Sequence, residues 1–213
     1  MPGRFFIARH GETVFNAAGR MQGEAPHTPL TRAGFAQADE MGLALRGHLG
    51  GRPEIELWAS PTGRALQTLA IVCEHLELDW HEARTDARLS EMDMAAWGGR
   101  YYRDIQAEVG RFVHAGGFFT VRPPGGEWFD GIAARLRSWI ADCASAPADR
   151  LVIMHGISSR VLRGILTGAA DRPECGAPLA DGLPQGSIVC IEDKRESVLH
   201  LGSDGHGASR PPA

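Results

Sequence analysis

Two short apolar runs, each followed by a histidine and a glycine, place the strongest limits on how this chain can fold. Phe5-Phe6-Ile7-Ala8 leads into Arg9-His10-Gly11, and Leu151-Val152-Ile153-Met154 leads into His155-Gly156. Apolar runs of this length are typical of strands that are buried on both faces. Because helix-like segments alternate with such runs, the sequence predicts an α/β fold in which helices cover both faces of a mostly parallel sheet.

A third strand-to-helix junction matches the first two. Residues 55–59 are predicted to form another strand, and the helix predicted after it carries Arg64 in its first turn. The carboxyl ends of parallel strands share one edge of a sheet, which is where ligands bind in open α/β folds. Taken singly, His155 is typical of a core histidine and Arg64 of a surface salt bridge. Together with Arg9 and His10 at equivalent strand ends, they indicate a site for a phosphate group.

The overall composition argues against several other classes of protein. The 213 residues carry a formal net charge of -4, which argues against general nucleic-acid binding. No apolar run approaches the roughly 18 residues of a membrane span, and residues 1–4 lead straight into a strand without a signal-peptide pattern. Four scattered cysteines without C-x-x-C spacing indicate reduced thiols, namely Cys73, Cys143, Cys175 and Cys190. We therefore expect a cytoplasmic protein with one domain over residues 1–203 and a disordered tail over 204–213.

Helix and strand signals divide the rest of the chain into further elements. Thr31 is predicted to cap a helix over residues 32–49, and Ser60 is predicted to cap a helix over 62–76. The first of these helices is expected to bury five side chains, namely Ala33, Ala36, Met41, Leu45 and Leu49. The other predicted elements are an edge strand at 78–83, helices at 102–115 and 123–144, a helix ending near 166, and closing strands at 187–191 and 198–201.

The segment between residues 88 and 126 is irregular and rich in aromatic side chains. Its aromatic residues are Trp97, Tyr101, Tyr102, Phe112, Phe118 and Phe119. The sequence leaves two interpretations open, a small satellite core or a lid that closes over a substrate.

These motifs resemble those of the histidine phosphatase superfamily, whose members share the phosphoglycerate mutase-like fold. The resemblance begins with Arg9-His10-Gly11-Glu12-Thr13, Asn16, Arg20 and Met21-Gln22-Gly23. It continues through Pro29-Leu30-Thr31, Ser60-Pro61, Arg64-Ala65, Leu89, Glu91, Trp97, Pro124-Gly125-Gly126-Glu127, His155-Gly156 and Arg160. It implies a three-layer α/β/α architecture with a mostly parallel central sheet.

The resemblance also implies a role for each residue of the candidate site. His10 would attack phosphorus and become phosphohistidine. This requires its far ring nitrogen to be unprotonated and its near ring nitrogen to donate to a backbone carbonyl. Arg9, Arg64 and His155 would hold the equatorial phosphate oxygens. Further substrate-binding groups are expected from three residues, namely Asn16, Gln22 and Gly23. Neither a metal ion nor an organic cofactor is expected, because the arginines supply the positive charge.

The resemblance assigns the proton transfers to Glu91. This residue would protonate the leaving oxygen and then take a proton from the water that cleaves the phosphoenzyme. Without the resemblance, Glu91 would be interpreted as an ordinary exposed glutamate. Glu12 and Glu127 are the other candidates for the acid. Glu12 is expected to act behind the site, because it lies so close to His10 along the chain.

The sequence leaves three functions open. The first is hydrolysis of a small phosphate ester, and the second is a cofactor-dependent phosphoglycerate mutase reaction on the same fold. Met94 stands where the mutases have a substrate-gripping tyrosine, and no adjacent arginine pair occurs between Glu91 and Pro123, so the phosphatase is favoured. The third is a catalytically silent phosphate-binding module, which is disfavoured because the candidate nucleophile and the arginines are all present. The only partner implied is a small phosphate ester, with no nucleic acid and no membrane.

Overall fold

Eight strands and six α-helices make up the regular structure of the described residues. The structure, a computed structural model, describes residues 3–143 and 147–203. The strands are β1 Phe5–Arg9, β2 Glu56–Ala59, β3 Arg84–Thr85, β4 Arg150–Met154, β5 Asp171–Arg172, β6 Ala177–Pro178, β7 Ile188–Glu192 and β8 Arg195–His200. The helices are α1 Val14–Ala17, α2 Arg32–Leu49, α3 Gly63–Leu76, α4 Tyr102–Val109, α5 Phe129–Cys143 and α6 Gly156–Thr167.

The central sheet has the strand order β3-β2-β4-β1-β7-β8. Strand β1 pairs in parallel with β4, with Ile7 opposite Val152, and β4 pairs in parallel with β2. Strand β7 runs antiparallel to β1, and β8 runs antiparallel to β7. The carboxyl ends of β1, β2 and β4 therefore lie at one edge. The predicted α/β fold with a mostly parallel central sheet is confirmed.

Side chains alternate between the two faces of the sheet, and each face carries a hydrophobic core. On β1, Phe6 and Ala8 enter one core, whereas Ile7 enters the other. The first core is closed by α2 and α3, and the second by α5 and α6. All five residues of β4 are buried. The short apolar runs are therefore strands covered on both faces, as their composition predicts.

The cap predicted for α2 is confirmed, but the buried stripe of this helix differs from the predicted one. The Thr31 hydroxyl accepts a hydrogen bond from the Gly34 amide. Ala33 and Ala36 are exposed and Leu49 is half-buried. The buried positions are Gly34, Gln37, Ala38, Met41, Gly42 and Leu45. Gly34 determines which face of α2 is buried. A Cβ at this position would lie 2.1 Å from the Glu12 carbonyl oxygen, so a glycine is needed where the helix packs against the connection between β1 and α1.

Two predictions in the neighbourhood of α3 are wrong. Thr62, not Ser60, occupies the N-cap position, but its side chain makes no capping hydrogen bond, and the helix begins one residue later than predicted. Residues 78–83 were expected to form an edge strand, but they contain a 3-10 turn at Trp80–Glu82. The Asp79 carboxylate accepts from the backbone there and favours this turn. The edge strand of the sheet is β3, which follows the turn directly.

The two helices of the middle region are shorter than the sequence predicts. Helix α4 stops at Val109 because Gly110 takes φ 76°, a left-handed conformation that ends a helix readily. Helix α5 begins at Phe129 and not at residue 123. Residues 123–126 instead form a turn, closed by a hydrogen bond from the Gly126 amide to the Pro123 carbonyl at 2.9 Å.

The aromatic segment contributes both to a core and to the wall of a cavity. Trp97, Phe112 and Phe118 are buried in the same core as α5 and α6, so they do not form a separate satellite core. Tyr102 and Phe119 also line a cavity over the carboxyl edge of the sheet. The segment therefore borders the cavity, and its role as a lid stays a prediction.

The remaining expectations concern the membrane and the tail. No helix within residues 3–143 and 147–203 is both long and apolar enough to cross a membrane. Residues 204–213, predicted as a disordered tail, lie outside the described residues. The four cysteines are buried.

Candidate active site

The strand-to-helix junctions meet at one edge of the sheet, as the sequence predicts. The His10 amide donates to the Met154 carbonyl at 3.0 Å, which ties the end of β1 to the end of β4. The rings of His10 and His155 meet edge to face, with centroids 5.2 Å apart. Arg64, from the first turn of α3, donates from Nε to Nδ1 of His155 at 3.2 Å. Two histidines and a guanidinium from three separate junctions are thus in contact.

His10 is held in the tautomer that a nucleophile needs. Its Nδ1 lies 2.7 Å from the Gly11 carbonyl oxygen, which can only accept, so Nδ1 carries the proton. Nε2 of the neutral ring therefore keeps its lone pair. Burial lowers the pKa of His10 well below 6.5, and the positive charges of Arg64 and Arg9 lower it further. The ring is neutral at pH 7.

His155 has the opposite tautomer. Because Arg64 donates to its Nδ1, the proton of the neutral His155 ring is on Nε2. Burial holds the pKa of His155 well below 6.5, and the charge of Arg64 acts in the same direction. Nε2 is buried and has no hydrogen-bond partner among the described residues. A buried donor without a partner is costly, and an anion beside His10 would satisfy this one.

Arg64 is completely buried, and most of its donors are already used. Nη1 donates to the Ala25 carbonyl at 2.7 Å and to the Thr28 hydroxyl at 2.9 Å, and Nη2 donates to the Gly23 carbonyl at 2.7 Å. With the bond to His155, four of about five N–H groups have partners. Burial lowers the pKa of Arg64 to about 10, so it remains cationic at pH 7. Arg64 therefore fastens the loop after α1 to the histidines and keeps one Nη2 hydrogen for a ligand.

A cavity of about 630 Å³ opens over this edge of the sheet. Its volume is in the range of small-molecule sites. Six of the predicted site residues line it, namely Arg9, His10, Asn16, Gln22, Gly23 and Glu91. Arg64 and His155 lie behind this wall, in contact with each other. Much of the remaining wall comes from two segments, 113–119 and 181–184.

The loop around α1 contributes Asn16, Gln22 and Gly23 to the wall of the cavity. Oδ1 of Asn16 accepts from the Thr13 amide at 3.1 Å, which leaves its NH2 group to donate. The Thr13 hydroxyl donates to Oε1 of Gln22 at 2.6 Å, which leaves the Gln22 NH2 group in the same position. Gly23 takes φ 54°, and a Cβ there would lie 2.9 Å from Cγ of Met94. A larger residue at this position would therefore push the Gly23 backbone away from its place beside the cavity.

Glu91 lines the cavity and is tied to the first turn of α6. Its Oε2 accepts from the Ile157 amide at 3.0 Å, and its Oε1 accepts from the Ser158 amide at 2.9 Å and from the Met92 amide at 3.0 Å. These bonds fix the position of the Glu91 carboxyl group beside the first turn of α6. Glu91 is only 9% exposed, so it is not an ordinary surface glutamate.

Glu12 and Glu127 make contacts outside the cavity. Oε1 of Glu12 accepts from the Thr31 hydroxyl at 2.7 Å, which links Glu12 to the cap of α2. Glu127 forms an ion pair with Arg135 at 2.8 Å. Neither glutamate lines the cavity, so Glu91 is the one of the three candidates that can reach a ligand there.

Tyr102 and Arg160 are among the cavity residues that lie outside the predicted site. Tyr102 begins α4, and burial raises its pKa to about 12, so its hydroxyl stays protonated. Arg160 lies one turn into α6 and donates to the carbonyls of Ala180 at 2.9 Å and Gly117 at 2.7 Å. The signal for Arg160 was its spacing from His155, which puts it on the helix that starts at the site. Nothing in the local sequence distinguishes Tyr102 from the other aromatic residues.

The described residues offer an anion site and no metal centre. Within residues 3–143 and 147–203, no group of three or more His, Cys, Asp or Glu side chains is arranged to hold a metal ion. The positive charge at the sheet edge comes from Arg9 and Arg64. Guanidinium groups next to a helix N-terminus are a typical environment for a phosphate group.

Solved structures share this architecture. The alpha-ribazole phosphatase from Shigella flexneri superimposes with a TM-score of 0.71 at 25% identity, covering 97% of this chain and 100% of that one. The mycobacterial glucosyl-3-phosphoglycerate phosphatase in complex with VO3 gives a TM-score of 0.75 at 24% identity, covering 95% and 100%. The fold is therefore the phosphoglycerate mutase-like fold of the histidine phosphatases.

Curated relatives include both phosphatases and mutases. The adenosylcobalamin/alpha-ribazole phosphatase of Salmonella typhimurium is 31% identical over 169 residues, which is 77% of this chain and 80% of that protein. A probable phosphoglycerate mutase of Enterobacter sp. is 32% identical over 167 residues, 76% and 74% of the two chains. The 6-phosphofructo-2-kinase/fructose-2,6-bisphosphatase of Caenorhabditis elegans is 29% identical over 197 residues. That match takes in 89% of this chain but spans only 38% of the longer relative.

The family match covers the same elements that build the site. A family model described as the histidine phosphatase superfamily, branch 1, matches residues 5–196. This range begins with β1 and includes all three junctions from Arg9 to His155. Since nearly the whole chain is matched, the protein belongs to the histidine phosphatase superfamily, branch 1, and is an enzyme of the histidine phosphatase type.

Proposed function

We propose that this protein hydrolyses a small phosphate monoester through a phosphohistidine intermediate on His10. The observation that carries the proposal is the 2.7 Å contact between Nδ1 of His10 and the Gly11 carbonyl. This contact leaves the Nε2 lone pair available on a buried, neutral ring that lines the cavity. The known phosphatase among the curated relatives supports the same reaction class.

The phosphoryl group would lie beside His10, at the cavity end of the three junctions. His155 offers its Nε2 proton, and Arg64 offers one Nη2 hydrogen. The guanidinium of Arg9, whose Nη1 donates to the Leu183 carbonyl, lines the cavity and adds positive charge there. Further donors come from the loop around α1, namely Asn16, Gln22 and Gly23. These groups would hold the equatorial oxygens and stabilise the charge that grows on them in the transition state.

Glu91 is the proposed acid and base. In the first step Nε2 of His10 bonds to phosphorus, the ester P–O bond breaks, and the leaving oxygen takes the proton of Glu91. In the second step the Glu91 carboxylate takes a proton from water, and the water oxygen attacks phosphorus. The N–P bond then breaks, which releases inorganic phosphate and restores the lone pair of His10.

The proposal extends to the cofactor, the partner, the location and the domain organisation of the enzyme. The reaction would need no metal ion and no cofactor, because arginine side chains and a helix N-terminus already supply positive charge to the phosphate. The partner would be a small phosphate ester and neither nucleic acid nor a membrane. We place the enzyme in the cytoplasm, with residues 1–203 acting as one domain.

Trapping the intermediate tests the proposal directly. Enzyme quenched rapidly during turnover of a phosphorus-labelled ester should carry label that is stable in alkali and lost in acid. His10→Ala should carry no label and should not turn over. His81→Ala, which changes an exposed histidine, should behave like the wild type. Acid-stable label on a serine, or turnover by His10→Ala, would overturn the phosphohistidine mechanism.

A phosphoglycerate mutase reaction is the second candidate. It is favoured by one observation, the 32% identity to a probable mutase. Against it, Met94 lines the cavity where the mutases have a tyrosine. Without that grip, water would discharge the phosphoenzyme before a product could turn around and take the phosphoryl group back.

A further inference from the structure

Glu127 and Arg135 form an ion pair behind the cavity that the proposed chemistry does not use. Nε of Arg135 donates to Oε1 of Glu127 at 2.8 Å, and Nη2 donates to Oε2 at 3.0 Å. The side chains of Arg135 and Glu127 are only 17% and 20% exposed. A pair with two parallel hydrogen bonds fixes the direction of the guanidinium group as well as its position. The remaining donors of Arg135 are therefore aimed at a defined place.

These remaining donors bind the backbone of the segment that carries Glu91. Nη2 of Arg135 donates to the Glu91 carbonyl at 3.3 Å, and Nη1 donates to the Arg88 carbonyl. Arg88 lies in a 3-10 turn at Ala87–Leu89, which leads into Glu91. Arg135 therefore holds residues 88–93, here called the acid segment, at two carbonyl groups.

A third contact attaches the acid segment to the turn that precedes Glu127. The Glu127 amide donates to the Asp93 carbonyl at 3.0 Å. A Cβ on Gly126 would lie 2.5 Å from the same carbonyl oxygen, so the backbone of this turn packs directly on the acid segment. Glu127 thus contacts the acid segment twice, through its own amide and through the guanidinium of Arg135.

The contacts of the Glu91 side chain explain why its backbone must be held. Its carboxyl group accepts from the amides of Ile157 and Ser158 in α6, at 3.0 and 2.9 Å. Glu91 therefore spans the gap between the acid segment and α6, the helix that follows His155. A shift of the acid segment relative to α6 would carry the carboxyl group away from these amides and from the bound ester. A misplacement of about 1 Å can cost about 100-fold in rate.

We propose that Arg135 is a positioning residue for Glu91: oriented by Glu127, it fixes the acid segment so that the Glu91 carboxyl group reaches the leaving oxygen. Arg135 is not part of the cavity wall that the described residues form, so it acts through Glu91 and not on the substrate. The inference rests on the proposed phosphatase function, in which Glu91 is the acid. It also gives Glu127 a role, which is to orient Arg135.

Two esters with different leaving groups provide the first test. kcat/KM reports the steps up to the phosphoenzyme, in which a poor leaving group needs the proton of Glu91 and a good one does not. Arg135→Met should therefore lower kcat/KM for propyl phosphate about 10- to 100-fold and lower it much less for p-nitrophenyl phosphate.

Conservative variants and a matched control accompany this measurement. Arg135→Lys keeps the charge and part of the hydrogen bonding, so it should lose less than Arg135→Met and recover part of the activity on propyl phosphate. Glu127→Gln weakens the pair that orients Arg135, and it should also lose more activity on propyl phosphate than on p-nitrophenyl phosphate. Arg137→Met changes an exposed arginine of the same helix, which pairs with Asp171, and should match the wild type on both esters.

A double-variant cycle separates positioning of the acid from a general structural role. In Glu91→Gln no acid is left to position, so the addition of Arg135→Met should leave the ratio of kcat/KM for the two esters unchanged. If Arg135 acted independently of Glu91, the double variant would show a further change in this ratio, and the inference would be overturned.

The outcomes separate this inference from the function on which it rests. If the wild type hydrolyses neither ester, the phosphatase function fails and the inference fails with it. If Glu91→Gln lowers both esters equally, Glu91 is not the acid and has no need of a positioning residue. If Glu91→Gln discriminates between the esters but Arg135→Met, Arg135→Lys and Glu127→Gln do not, the role of Arg135 is overturned and the phosphatase function stands.

Discussion

His10 and His155 should make the stability of the fold depend on pH. Burial and the neighbouring arginines hold the pKa of both histidines well below 6.5, the value of an unperturbed side chain. As the pH falls through 6.5, the unfolded chain binds two protons that the folded chain does not bind. The stabilisation is therefore complete above pH 6.5 and is lost progressively below it.

The size of the effect follows from the number of protons. Each histidine that stays neutral only in the folded state changes the free energy of unfolding by about 1.4 kcal/mol per pH unit below 6.5. Between pH 7.5 and pH 5.5, His10 and His155 together should remove up to about 2.7 kcal/mol. Typical domains have only about 5–15 kcal/mol of stability, so this loss is large enough to measure.

Urea unfolding at pH 7.5, 6.5 and 5.5 is the assay. The wild type should lose stability over this range, and the double variant His10→Asn/His155→Asn should have a much flatter dependence. His81→Asn, at an exposed histidine, should keep the wild-type dependence and serves as the control. Equal wild-type stability at pH 7.5 and 5.5 would refute the reasoning, and so would a double variant with an unchanged slope.

Three further predictions concern the reaction. Glu91→Gln should slow hydrolysis of alkyl phosphates by about 10²- to 10⁴-fold and slow p-nitrophenyl phosphate much less, because a good leaving group needs no acid; equal losses on both esters would place the acid elsewhere. Activity should persist after exhaustive chelation, and a collapse restored by magnesium or zinc would contradict a metal-free site. With 3-phosphoglycerate and a trace of the 2,3-bisphosphate, phosphate release should outrun formation of 2-phosphoglycerate, whereas faster isomerisation would make the protein a mutase.

The sequence predicts which side chains meet at one edge of the sheet because these side chains lie at strand ends. Arg9, His10 and His155 follow apolar runs directly, and the parallel sheet brings such ends together without any side-chain detail. Arg64 is predictable for the same reason, since it lies in the first turn after β2. Its hydrogen bonds to the carbonyls of Gly23 and Ala25 are not predictable, because they depend on how the loop after α1 folds back on α3.

The parts that sequence patterns miss are set by contacts between distant segments. The buried face of α2 differs from the predicted one because Gly34 packs against the Glu12 backbone. The spacing of apolar residues along the helix does not reveal this contact. The 3-10 turn before β3 depends on a local side-chain bond from Asp79 that competes with strand formation. Tyr102 reaches the cavity only because the aromatic segment packs into the core beside α5.

The Arg160 side chain links the two segments, 113–119 and 181–184, that complete the wall of the cavity. Arg160 donates to Gly117 in one segment and to Ala180 at the edge of the other. Neither segment supplies the nucleophile or the acid. A recombination event, or a designer, can therefore exchange both segments as a pair, provided that the new segments keep a carbonyl for Arg9, which now donates to Leu183 at 2.6 Å, as well as the two carbonyls for Arg160. If only one segment is exchanged, the new segment must still provide the carbonyl oxygen that accepts a hydrogen bond from Arg160.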